Sequence, residues 1–139
     1  MEAAKKLLVH VRTISPFEIP TIISWWKEYG EVAPEEGMMP IDSTFVLDLG
    51  GLPIVSLTVF HTNSMVAWVD NFIAHPKLNF RERERVMNEA WEWVQQYVKD
   101  KGYKRMLCFS DKQSKVRLYE RYGFITTLSN VVTMTKEIV

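Results

Sequence analysis

Apolar and polar positions alternate over residues 7–14. Leu7, Val9, Val11 and Thr13 share one side, and Leu8, His10, Arg12 and Ile14 the other, which predicts a strand. The period then changes. Ile19, Ile22, Ile23, Trp26 and Tyr29 fall on one face of a helix that Gly30 stops. Ser15-Pro16-Phe17-Glu18 opens it, with a capping serine, a proline suited to the first turn and a glutamate placed to complete a capping box. Pro20 allows a start as late as Ile19. Residues 31–42 hold Pro34, Gly37, Pro40 and three glutamates without apolar periodicity, so they read as a loop with at most one short helical turn. Strands follow at 44–49 and 54–61, joined by Gly50-Gly51-Leu52-Pro53, where the Gly-Gly pair signals a hairpin. A turn at 61–64 leads into a third strand, 65–74, which Pro76 ends.

The longest helix is expected over 80–101. Asn79-Phe80-Arg81-Glu82 starts it, Gly102 ends it, and Val86, Met87, Ala90, Trp91, Val94, Tyr97 and Val98 make its apolar stripe. A short strand at 104–109 precedes a helix that is capped at Ser110-Asp111-Lys112-Gln113 and closed by Gly123. Two strand-like stretches, 124–128 and 131–137, complete the chain. The order is β-α-β-β-β-α-β-α-β-β. Helical crossovers on both sides of the fifth strand require a mixed sheet, so the fold class is α/β (α+β), as one domain over 1–139.

Composition narrows the function. The 139 residues are 47% hydrophobic, with five Trp, seven Phe and five Tyr, enough for a sizeable core. Seventeen basic side chains balance seventeen acidic ones, which argues against a nucleic-acid partner. The balance hides an asymmetry: residues 1–76 carry a net −5 and residues 77–121 a net +5. Cys108 is the single cysteine, so an internal disulfide is excluded and a reducing compartment expected. No apolar run approaches the roughly 18 residues of a membrane span, and residues 1–6 lack a secretory signal, so the expected location is cytoplasmic. His10, His61 and His75 are scattered without metal-ligand spacing, and no metal is expected.

This element order, with Gly-Tyr-Lys-Arg-Met-Leu-Cys-Phe at 102–109 and Leu-Tyr-Glu-Arg-Tyr-Gly-Phe at 118–124, resembles the GNAT superfamily of N-acetyltransferases. The resemblance covers nearly the whole chain in element order and is motif-level from about Asp70 to Phe124. It implies transfer of an acetyl group from acetyl-CoA to an amine by direct attack. It also implies that the strand at 65–74 splays from the strand at 104–109 to admit pantetheine, whose amides the backbone of Phe72, Ile73 and Ala74 would bond. The start of the long helix would cradle the pyrophosphate, since helix N-termini attract anions. There the sequence departs from the family. Asn79 stands at the Arg/Gln position and Phe80 at an adjacent, commonly glycine position, while Glu82 and Glu84 stand at motif positions for Gly and Gly/Ala. Arg81 and Arg85 share a helical face and could grip phosphate from side chains, while Arg83 points elsewhere. The pyrophosphate loop is thus degenerate.

Acetyl transfer needs a deprotonated amine and a proton for the departing thiolate. Tyr119, four residues before Gly123-Phe124, matches the family tyrosine that serves as general acid. Asp70, a carboxylate in an otherwise apolar strand, is the general-base candidate. Simple alternation would put Asn71 on the opposite face. Trp25, Trp26, Glu28, Glu31, Glu35 and Glu36 offer an acidic, aromatic wall suited to an amine. Cys108 reads as inert core. The resemblance allows a homodimer through the C-terminal strands. The alternative function is a catalytically inactive GNAT-fold module that binds a protein partner through an aromatic such as Trp25 or Trp93.

Overall fold

Gly50 and Gly51 take φ angles of 62° and 88°, so the chain reverses within two residues between β2 (Thr44–Leu49) and β3 (Leu52–Phe60). Leu52 and Pro53 therefore begin the second strand of the hairpin instead of extending its turn. The computed structural model describes residues 9–109, 113–127 and 134–138. They cluster into two compact units, Met1–Cys108 and Phe109–Val139. The first holds a five-stranded sheet in the order β1-β2-β3-β4-β5. Here β1 is His10–Thr13, β4 is Val66–Ala74 and β5 is Arg105–Leu107. Neighbours are antiparallel except β4 and β5, which run parallel. The sheet is mixed, as the crossovers required.

The register assigns the two faces. Cross-strand partners share a face, and Val46 pairs with Ser56, which pairs with Ile73. Val46 and Ile73 join Ile14, Ile19, Ile22, Trp25, Trp26 and Met39 in one buried cluster, so this face packs on α1 (Ile19–Glu28). The other face meets α2 (Phe80–Asp100), which buries Val86, Ala90, Trp91, Val94 and Val98. Phe45 packs against Trp93 and Tyr97 at ring separations of 4.8 and 4.9 Å, and Phe72 stacks on Trp91 at 4.6 Å. A 3-10 turn at Pro16–Glu18 leads into α1 with the expected capping box between Ser15 and Glu18, and a second 3-10 turn, Glu36–Met38, interrupts the 31–42 loop.

The second unit contains α3 (Gln113–Arg121), after which Gly123 takes φ 91°. The strands expected at 124–128 and 131–137 do not form over 124–127 and 134–138; the rest of both stretches lies outside the described residues. Alternating apolar residues make a strand only where a neighbour supplies a ladder. Ile125 and Met134 stand exposed, with no strand partner among the described residues. The strand expected at 7–14 is confined to His10–Thr13, its first two positions lying outside the described residues.

One ion cluster ties the first strand to its surroundings. Arg12 donates from Nε to Asp48 on β2 at 2.6 Å and forks onto Glu18 at 2.6 and 2.8 Å. Glu18 also accepts from the Ser15 N–H at 2.9 Å. Hydrogen bonds from Arg12 hold both carboxyls below their ordinary range. Carboxyls depressed on folding stabilise the native state above their unfolded pKa, and that contribution disappears as pH falls through the folded value. The stability difference between the wild type and Arg12→Met should therefore be full at pH 7 and shrink below about pH 4. Urea unfolding at both pH values measures it. An unchanged difference at low pH would show that the cluster's contribution is not ionic.

Candidate functional site

β4 is paired with β3 from Trp68 to Ala74 but with β5 over three residues only. The ladder with β5 runs from Val66–Arg105 to Trp68–Leu107 and stops, so from 69 to 74 no strand lies on the β5 side among the described residues. On the β3 side the register slips by one: Ser56 pairs with Ile73 and Thr58 with Asp70, which leaves residues 71 and 72 opposite Leu57 alone. This β-bulge places Asn71 at φ 52°, a left-handed conformation that asparagine tolerates better than most residues. The His75 N–H donates to the Ile54 carbonyl at 2.8 Å. Antiparallel pairs alternate, so Ala74, one residue earlier, turns its own N–H and C=O away from β3.

The bulge corrects the expectation that Asp70 and Asn71 look to opposite faces. Asp70 pairs with Thr58 and shares its face, and the Asn71 side-chain amide reaches the same Thr58 hydroxyl at 3.3 Å. The Asn71 N–H donates to the Asp70 carboxylate at 2.8 Å, and its side chain donates to the Met38 carbonyl of the 31–42 loop at 3.0 Å. Thr58 in turn bonds Thr44 at 3.0 Å, with both hydroxyls buried. Cys108, just past β5, is half-buried. Burial first, and then the Asp70 charge, push its thiol up to about 11, which favours the protonated form.

At the start of α2 the chain supplies its own anion. Asn79 caps the helix by accepting from the Glu82 N–H at 2.9 Å, and Glu82 returns a carboxylate oxygen to the Asn79 N–H at 3.1 Å. Phe80 is 74% exposed, and Arg81 and Arg85 are exposed along the first turns. Arg83, between them, is the half-buried one. Its Nη2 donates to the carbonyls of Pro76 and Leu78 at 3.3 and 3.1 Å, and its guanidinium lies 5.3 Å over the Tyr29 ring. The Tyr29 hydroxyl donates to the Ala74 carbonyl at 2.8 Å. Arg83 and Tyr29 thus hold the end of β4 and the loop that follows. Neither was singled out by its pattern, because Tyr29 reads as one more member of an apolar stripe and Arg83 as one of three alternating arginines.

The aromatic wall expected from Trp25 and Trp26 is not at the surface. They are 2% and 6% exposed and belong to the core, which also removes Trp25 as a partner anchor. Trp93 is half-buried against Phe45 and Tyr97. His75 packs on Trp25 with ring centroids 4.9 Å apart and accepts the Lys77 N–H, while His61 bridges the hydroxyls of Tyr97 and Tyr103. A cleft of about 350 Å³ opens between Trp25, Leu52, His75, Leu78 and Glu82. Among the described residues no group of His, Cys, Asp or Glu could hold a metal, and no helix is long and apolar enough to cross a membrane.

Site residues expected from the sequence therefore fall into three places. Asp70, Phe72, Ile73 and Ala74 lie together on the second half of β4, and Asn79, Phe80, Arg81 and Arg85 on the first turns of α2. Phe72 and Ile73 commit their side chains to opposite packing layers. The alternation that turns the Ala74 backbone outward turns that of Ile73 towards Ser56 on β3, which corrects the expectation that Ile73 offers its backbone to a ligand. Tyr119 lies in the second unit, half-buried in α3, with its ring 5.9 Å from that of Phe124.

No protein-family model matches the sequence, and no curated protein does. Solved structures do match. Ard1 from Thermoplasma volcanium is similar at a TM-score of 0.68 and 15% identity, over 86% of this chain and 84% of that one. A predicted acetyltransferase with acetyl-CoA from Clostridium acetobutylicum is similar at 0.63 and 10%, over 92% and 96%. AAC(6')-Iy, in complex with the bisubstrate analog CoA-S-monomethyl-acetylneamine, is similar at 0.63 and 17%, over 94% and 99%. The fold of this chain is that of the GNAT acetyltransferases.

Proposed function

We propose that residues 1–139 form a single acyltransferase domain that transfers the acetyl group of acetyl-CoA to a primary amine. The observation that carries this reading is the early end of the β4–β5 ladder, which leaves the outward backbone of Ala74 bordering a gap beside a carboxylate. The fold neighbours that hold acetyl-CoA or a CoA conjugate support it.

The donor fits one part of this site well and another poorly. The outward backbone of Ala74 can bond an amide of pantetheine as an added strand would. The N-terminus of α2 suits an anion in principle, yet Asn79 and Glu82 already satisfy each other there, and Glu84 adds charge of the wrong sign. Arg81 and Arg85 would hold the phosphates from their side chains. When bound, acetyl-CoA supplies a thioester carbonyl as electrophile. Asp70 takes a proton from the incoming ammonium and leaves its nitrogen nucleophilic. As the C–N bond formed and the C–S bond broke, Tyr119 would supply the phenolic proton that the departing thiolate needs, and the second proton lost by the acetylated nitrogen would restore the phenol. The amine side is the acidic 31–42 loop, which Asn71 ties to β4.

Calorimetry with acetyl-CoA and CoA tests the reading, and no binding at millimolar concentration would overturn it. Thiol release from acetyl-CoA with spermidine or a lysine-bearing peptide then tests the roles. Asp70→Asn should lower turnover about 10²-fold or more with donor affinity unchanged. Tyr119→Phe should lower turnover more than affinity, and equal loss of both would reject its role as acid.

Glu82→Gln keeps a partner for the Asn79 N–H and removes the charge. It should tighten CoA binding about threefold or more; unchanged affinity would place the phosphates away from α2. A module that binds a protein partner without catalysis is the second reading, and the self-capped α2 terminus favours it. A stoichiometric partner retained in the presence of CoA, together with no calorimetric signal, would establish it.

A further inference from the structure

We infer that Asn71 is a positioning residue that orients the Asp70 carboxylate through its backbone and latches the 31–42 loop onto β4 through its side chain. This rests on the reading of Asp70 as the base. Three observations converge. Asn71 sits at the bulge with φ 52°, and in that conformation its N–H points at the Asp70 carboxylate from 2.8 Å. In an unbulged strand, consecutive residues point to opposite faces, and this contact from a backbone amide to the preceding side chain is not made. The side-chain amide then spends its donors on the Met38 carbonyl at 3.0 Å and the Thr58 hydroxyl at 3.3 Å. Finally, Thr58 bonds Thr44, and both are fully buried on the face that Ser56 shares with Val46, Ile73 and the side chains of α1.

A buried Thr–Thr pair in such a layer is unfavourable unless its hydroxyls are satisfied. One hydroxyl of the pair donates to the other, and Thr58 also accepts from the Asn71 amide. The polar chain Thr44–Thr58–Asn71–Met38 therefore runs from the middle of the sheet to the loop, and Asp70 hangs from its third member. Asparagine is the residue type that meets both demands. It tolerates a left-handed backbone, as glycine does, and it carries the two-donor amide that glycine lacks.

Glycine and alanine at position 71 separate the two roles. Asn71→Gly permits the bulge conformation and keeps the N–H but deletes the latch; Asn71→Ala deletes the latch and also disfavours the conformation. Hydrogen exchange reads the latch without any assay of activity. Amides over 36–42 should exchange about tenfold faster in both variants while β2 and β3 are unchanged, and unchanged exchange over 36–42 would overturn the latch.

The residue-71 amide proton, bonded to a carboxylate, should resonate downfield in the wild type and in Asn71→Gly, and lose that shift in Asn71→Ala and Asp70→Ala. Equal shifts in the glycine and alanine variants would overturn the orienting role.

In acetyl transfer to spermidine, Asn71→Gly should raise the amine KM with kcat retained, and Asn71→Ala should lower kcat as well. Indistinguishable kcat values would again overturn the orienting role. If the wild type transfers nothing, the acetyltransferase reading fails, while exchange and chemical shift still decide the role of Asn71.

Discussion

A strand inside a sheet must satisfy two rows of backbone donors and acceptors, and β4 meets that demand unequally. Towards β3 it is paired from Trp68 to Ala74, with one residue too many. Towards β5, among the described residues, it is paired for three residues and then left. Everything that distinguishes this end of the molecule depends on that imbalance. The extra residue re-aims Asn71 and brings it to the same Thr58 that faces Asp70, and the missing neighbour turns the Ala74 backbone into a border. An unpaired strand edge invites another strand. Here the last residue of β4 is guarded by a side chain, the Tyr29 hydroxyl on the Ala74 carbonyl, and not by more sheet.

The α2 terminus shows the opposite economy. A helix start presents unpaired N–H groups and a positive dipole end, and chains that bind phosphate there leave it bare with glycine. This chain instead closes two of those groups with Asn79 and Glu82 and tucks a half-buried arginine against the carbonyls of the preceding loop. The loop is shaped by Arg83 drawing in the carbonyls of Pro76 and Leu78, so its form does not depend on a ligand. The positive charge counted over 77–121 is accordingly divided in role. Arg83 is structural, and Arg81 and Arg85 remain on the exposed helix surface.

The order of elements was legible because each boundary carries its own chemistry. Ser15 with Glu18, Gly50 with Gly51, and Asn79 with Glu82 all act as the pattern implied. Asp70 was legible as a carboxylate out of place in an apolar strand. The bulge was not, since a one-residue slip leaves the hydrophobic pattern of β4 almost unchanged and shows itself only in pairing. Trp25 and Trp26 misled because aromatics near glutamates read as a rim, whereas helical phase carried them into the core. The final two strands rest on the apolar pattern alone, which says what a segment could pair with but not that a partner stands beside it. Tyr29 and Arg83 act through contacts distant in sequence, on which local pattern is silent.

The Tyr29 contact has a mechanical meaning. Its ring lies under the Arg83 guanidinium while its hydroxyl holds Ala74, so one side chain from the end of α1 braces both the tip of β4 and the first turns of α2. Two helices on opposite faces of a sheet ordinarily settle independently against their own layers. With this strut they share a reference point, and a shift of α1 that reshapes one mouth of the gap must also move the other. Redesign of this protein for a larger ligand on either side would have to begin at residue 29.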